Sequence, residues 1–146
     1  MITERDARMA LCALTPLGQQ NVAEALAQFG AEELWAGFLA RPETTWGRKA
    51  QGVDVAALRH ATERCGARFI IPGDEEWPER LEGLDGALVS GQTGEPVGLW
   101  VRGMSLSEVG GGVAIVGARA CTTYGEHASV TLAADLAMQD HPIISG

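Results

Sequence analysis

Apolar residues recur at three- and four-residue steps through the first half of the chain. Leu11 and Leu14, then Val22, Ala25, Leu26 and Phe29, then Leu34, Trp35, Phe38 and Leu39 follow helical spacing. Thr15-Pro16-Leu17-Gly18 breaks the pattern and predicts a tight turn, because proline presets φ and glycine accepts φ > 0. Gly30 predicts the end of the second helix. Residues 41–52, polar and holding Pro42, Trp46, Gly47 and Gly52, read as a loop. Asp54 then predicts the cap of a further helix, with Val55, Leu58, Ala61 or Thr62, and Cys65 on one face, ended by Gly66.

The pattern changes after Gly66. Arg68-Phe69-Ile70-Ile71 is a short apolar run stopped by Pro72-Gly73, which predicts a strand. Residues 76–81 suggest a helical turn. Ala87-Leu88-Val89 is a short extended piece within a loop, and Leu99-Trp100-Val101 a second strand ended by Gly103. Gly110-Gly111-Gly112 leads into Val113-Ala114-Ile115-Val116, apolar at every position, as expected of a central parallel strand covered on both faces. A helix is predicted over 125–138, with Ala128, Leu132, Ala133, Leu136 and Ala137 inward. Pro142-Ile143-Ile144 begins another strand. Strand-helix-strand implies a parallel crossover unit, and one such unit is less than a domain, so the chain reads as an N-terminal portion of a longer protein.

Composition narrows the classes. The chain has 146 residues, 46% of them apolar, which suits a folded protein. No apolar run approaches the ~18 residues of a membrane span, and the charged N-terminus MITERDARMA lacks a signal-peptide core, so a cytoplasmic location without membrane association is expected. Cys12, Cys65 and Cys121 are far apart and odd in number, and His60, His127 and His141 give no metal spacing. Neither a disulfide framework nor a structural metal is expected, and Cys12 and Cys65 fall at core positions.

The formal net charge of −8 argues against nucleic acid as a partner. The distribution is uneven. Residues 41–68 carry Arg41, Arg48, Lys49, Arg59, Arg64 and Arg68 against Glu43, Asp54 and Glu63, while acid concentrates at Asp74, Glu75, Glu76, Glu79, Glu82 and Asp85. Two short helices joined by a glycine turn are similar to a helix-hairpin-helix, whose turn amides grip a nucleic-acid phosphate. An ordinary helical hairpin fits the same pattern.

The candidate chemistry lies after the apolar strand. Gly117 lets the backbone turn sharply and approach a ligand. Thr123 with Glu126 three residues on suggests a capping box, and the free amides of the helix's first turn make an anion site. Arg119 adds a bidentate phosphate partner, Thr122 and Thr123 offer hydroxyls, and Tyr124 could stack on a base. Cys121 has no companion base nearby in sequence. The loop lacks the later glycines of G-x-G-x-x-G, which disfavours a standard dinucleotide site.

The string Val113 to Arg119, with Thr122, Tyr124 and Gly125 and then Ile144-Ser145-Gly146, resembles the DNA-processing protein A family (DprA, also called Smf) and its G-[S/A]-R-x-x-[T/S]-x-Y-G hallmark. Upstream, Trp77-Pro78-Glu79-Arg80-Leu81 resembles the family's aromatic-P-x-x-L. Pro96, with Leu99-Trp100-Val101-Arg102-Gly103, resembles its P-x-x-L-[Y/W]-x-[R/K]-G. The N-terminal helices resemble its sterile-alpha-motif-like, helix-hairpin-helix module.

The resemblance implies an α/β protein: a helical module over 1–67, then an incomplete, Rossmann-like, parallel-sheet domain over 68–146. It implies a binder rather than an enzyme. Such a protein binds and protects single-stranded DNA, helps load the RecA recombinase in transformation and recombination, and forms a homodimer at full length. No catalytic residue and no cofactor are implied. Gly117 and Arg119 would line the phosphate pocket, with Ala118, Thr122, Tyr124 and Gly125 around it and Arg102 as a wall. The family's next motif, a G-x-A-x-G-[I/V]-D segment, would begin at Gly146. From Phe69 onward Arg80, Arg102 and Arg119 face 11 acidic residues, so the chain alone is expected to bind DNA weakly or not at all. The alternative is a nucleotide-binding enzyme of the lysine-decarboxylase-like group.

Overall fold

Thr3 opens the first helix: its hydroxyl accepts the Asp6 N–H at 3.2 Å, which satisfies one orphan amide of α1 (Glu4–Cys12). The structure, a computed structural model, describes the chain apart from Met1, Thr15, Leu17, Glu82 and the side chain of Asp85. The turn expected at Thr15-Pro16-Leu17-Gly18 includes two of these and lies outside the described residues. Two more helices follow, α2 (Gln20–Phe29) and α3 (Ala31–Leu39), hinged on Gly30 at φ +76°. That φ is open to glycine, so one residue ends one helix and starts the next. Asp54 caps α5 (Val55–Arg64) by accepting the Ala57 N–H at 3.0 Å, as its position predicts.

Residues 41–52 are not a loop throughout. Thr44 caps a further helix, α4 (Thr45–Gln51), by accepting the Gly47 N–H at 3.0 Å. Gly47, a loop signal in the sequence, instead lets α4 sit against the end of α3. A Cβ there would stand 1.9 Å from the Arg41 carbonyl oxygen.

Ala7, Ala10, Leu11 and Leu14 pack with Ala31, Leu34, Trp35 and Ala50 into the main apolar core. On α5 the inward position is Thr62 rather than Ala61. Its hydroxyl donates to the Leu58 carbonyl and accepts from Trp100 Nε1 at 3.0 Å. Cys65, expected in a core, is exposed. Cys12 is half-buried, and burial pushes its thiol up to about 11.

Strand β1 (Ala67–Ile70) pairs antiparallel with β4 (Leu99–Arg102), Phe69 opposite Trp100. Between them β2 (Leu88–Val89) and β3 (Gln92–Thr93) form a small hairpin, and Thr93 N–H reaches the Gly18 carbonyl at 2.8 Å. Trp77, from the Trp77-Pro78 motif, packs with Ile70 and Val101 in a second core, with Leu81 against it. These pairings, and the Arg5 guanidinium on Asp74 at 2.7 and 2.8 Å, make Met1–Leu106 one compact unit. Ser107–Gly146 form a second compact unit. The protein mixes helix with three two-stranded sheets among the described residues.

Arg68 grips Glu76 through both carboxylate oxygens, and the Leu106 N–H and Ser105 hydroxyl also donate to it. Chiefly through Arg68, the Glu76 carboxyl is held down at about 2, against 4.5 for a free glutamate. A depressed folded-state value stabilises above the free value and is lost on acidification. Stability is therefore expected to fall as pH drops from about 4.5 toward about 2. Urea unfolding across that window should show a shallower acid limb for Glu76→Gln than for the native protein.

Candidate nucleic-acid interface

The unit Ser107–Gly146 is built on a short parallel pair. Strand β5 (Val113–Ala114) runs beside β6 (Ile143–Ile144), and the Ile115 N–H extends the ladder to the Ile144 carbonyl at 2.9 Å. The helix α6 (Thr123–Ala137) crosses between them in sequence. A parallel pair needs such a crossover, so the apolar-loop-helix-apolar order of the sequence is realised here.

Covering of the strand on both faces is not realised. Val116 is 84% exposed, and no residue of this unit is buried. The inward side of α6 holds Ala128, Ala133 and Leu136, while Leu132 and Ala137, expected with them, are exposed. Two-residue strands cannot cover a helix that is apolar around much of its circumference.

The chain leaves the ladder after Ile115 and turns through residues 116–122 to the helix. Thr122, not Thr123, is the cap: its hydroxyl accepts the Gly125 N–H at 3.1 Å and its carbonyl the Glu126 N–H at 2.9 Å. Adjacent threonines are equivalent as letters, and the backbone turn decides between them. The N–H groups of Thr123 and Tyr124 have no acceptor among the described residues. Two free amides at the positive end of a four-turn helix attract an anion. Thr122→Ala should loosen this end and lower the stability of α6 by about 1 kcal/mol, read as faster hydrogen exchange over its first turn.

The other predicted residues of this unit lie in the loop before α6 and in its first turn. Ala118 and Arg119 are exposed, and the Arg119 guanidinium has no hydrogen bond or ion pair among the described residues. It is the only lysine or arginine in residues 107–146, which carry four carboxylates. Tyr124 is 80% exposed, so its ring is open to stacking. Gly117 has no left-handed φ, and a Cβ there would meet no atom within 4 Å. The chain's own packing therefore does not demand glycine at that position. Arg102 lies exposed on β4, in the other unit. Cys121 and His127 are exposed, and Glu126 lies in the first turn of α6. Among the described residues no group of His, Cys, Asp or Glu is arranged to hold a metal ion, and no helix is long and apolar enough to cross a membrane.

A family model described as DNA recombination-mediator protein A matches residues 68–146. Two curated relatives from Mycobacterium tuberculosis, strains CDC 1551 / Oshkosh and ATCC 25618 / H37Rv, carry the provisional name DNA processing protein DprA. Each is 42% identical over 91 residues, covering 57% of this chain and 23% of the relative. The matched part thus spans under a quarter of those relatives. No solved structure matches the chain significantly.

Proposed function

This chain belongs to the DNA recombination-mediator protein A family, and from that premise we propose that its 117–125 segment binds the backbone of single-stranded DNA. The observation that carries this reading is Arg119: a cation unpaired among the described residues, in the loop that leads into the open amides of Thr123 and Tyr124. A phosphodiester would take charge-assisted hydrogen bonds from the guanidinium and neutral ones from the amides. Gly117 and Ala118 leave room for the backbone to come close, and Tyr124 offers a face for a base. Gly125 keeps the first helical turn short of bulk.

No step of covalent chemistry belongs to this reading. The protein acts as a binder in recombination, in the cytoplasm, without a cofactor. The β5–α6–β6 crossover supports a Rossmann-like sheet, and the helical part a helix-hairpin-helix-like module. Loading of RecA and homodimerisation at full length come with the family.

With one arginine against four carboxylates in residues 107–146, the affinity is low and the contact electrostatic. Fluorescence anisotropy of a labelled oligothymidylate, titrated at rising sodium chloride, tests this. Log K should fall linearly with log salt, by about 0.7 per phosphate engaged. Salt-independent binding, or a mononucleotide competing as well as the strand, would favour a nucleotide pocket instead.

A further inference from the structure

The hairpin of β2 and β3 is used on one edge only. On the β3 side the Thr93 N–H reaches the Gly18 carbonyl at 2.8 Å and the Gln20 N–H reaches the Gly91 carbonyl at 3.3 Å, which ties the hairpin to the start of α2. On the β2 side no strand pairs among the described residues. The Gly94 N–H bonds the Ala87 carbonyl at 3.0 Å, so the next residue, Leu88, turns its N–H and carbonyl away from β3. Neither group has a hydrogen bond among the described residues. Leu88 also lines an open groove of about 540 Å³, with Leu26 and Ala27 of α2 and Pro96 and Val97 among its apolar walls. The charged side chains lining it are Arg8, Glu24 and Glu95. Arg8 is taken up by the Glu4 carboxylate at 2.7 Å and the Val97 carbonyl at 3.0 Å. Glu24 accepts one bond, from the Gln20 amide at 2.9 Å. The half-buried Glu95 carboxylate has no hydrogen bond or ion pair among the described residues.

We propose that this groove docks an extended segment of a partner protein that bears lysine or arginine, added as a further strand on the open edge of β2. The Leu88 N–H and carbonyl supply the two backbone bonds with which an edge captures an extended peptide. Side chains at alternate positions of that peptide share a face, so its cationic residues enter the groove together. Their methylene stems lie along Ala27, Pro96 and Val97 while their charged heads meet Glu95 and Glu24. Charge selects this occupant. Arg8 is already engaged, so the groove offers two carboxylates and no free cation, and the net charge of −8 draws a basic segment in. A nucleic-acid backbone would be repelled by the same carboxylates. The contact is far smaller than a standard interface, so the partner is held weakly and reversibly.

Titration of the 146-residue chain with the acetylated and amidated peptide Lys-Val-Lys-Val-Lys, followed by amide NMR shifts, tests this. Binding should be saturable, should weaken at high salt, and should protect the Leu88 amide from hydrogen exchange. The acidic counterpart Glu-Val-Glu-Val-Glu should not bind. Glu95→Lys should weaken binding about threefold to tenfold, since an attractive pair becomes a repulsive one. Ala27→Trp, at an exposed helix position, should fill the groove and abolish binding. Circular dichroism confirms that each variant keeps its helices. No saturable binding, equal binding of the acidic peptide, unchanged affinity in Ala27→Trp or in Glu95→Lys, or a Leu88 amide left unprotected each overturns the proposal. None of these outcomes bears on DNA binding at Arg119.

Discussion

Gly47→Ala is expected to destabilise the protein by about 3 kcal/mol or more, among the larger effects of a single methyl. The added Cβ would lie 1.9 Å from the Arg41 carbonyl oxygen, 2.6 Å from its carbonyl carbon and 2.9 Å from the Phe38 oxygen. All three are backbone atoms, so no side chain can rotate to relieve the overlap. The Arg41 oxygen is also held in place, accepting both the Thr44 N–H at 3.0 Å and the Thr44 hydroxyl at 2.8 Å. Relief must come from moving α4 away from α3, which would open the packing of Ala50 and Trp46 in the main core. Thermal unfolding followed by circular dichroism should show a midpoint about 10 °C lower. Gly37→Ala serves as the control. It makes the same chemical change with open space around it, and should raise stability by about 0.5–1 kcal/mol. Equal effects of the two substitutions would contradict the close approach of α4 to Arg41.

The two glycines also show where sequence patterning stops informing. Glycine next to tryptophan in a polar stretch reads as a loop, yet Gly47 is helical for a tertiary reason, the carbonyl of Arg41 above it. Local signals were sufficient where the cause was local: Gly30 with its positive φ, Asp54 on the Ala57 amide, and the apolar stripe Leu11, Leu14, Leu34, Trp35. The strands at Phe69 and Val101 were visible as apolar runs, but their antiparallel pairing was not, because register between segments about 30 residues apart leaves no local trace. That pairing draws β1 and β4 into one unit with the helices. The hairpin strand Gln92–Thr93 is polar and too short to signal itself. At the candidate site, the strand-loop-helix order and the residues Gly117, Arg119 and Tyr124 were legible. The choice of Thr122 as cap was not, nor the exposure of Val116 and Leu132, since coverage of a strand or helix depends on what else packs there.

Arg119→Ala is expected to lower affinity for single-stranded DNA roughly tenfold to a hundredfold at low ionic strength, the range for one charge-assisted hydrogen-bonding partner. The magnitude follows from isolation. Residues 107–146 hold no other lysine or arginine, so no second cation of this unit can take over the phosphate. The salt dependence separates this role from others. Losing one phosphate contact should reduce the slope of log K against log salt by about 0.7. Arg119→Lys keeps the charge and should keep the slope, but loses the planar two-pronged contact and some affinity. Tyr124→Ala removes a ring that is 80% exposed and contributes nothing to a core. It should cost affinity through lost stacking, about 1–3 kcal/mol, with the slope unchanged. Two variants within the 117–125 segment thus act on two independent observables. Unchanged affinity and slope for Arg119→Ala would remove the phosphate from this loop.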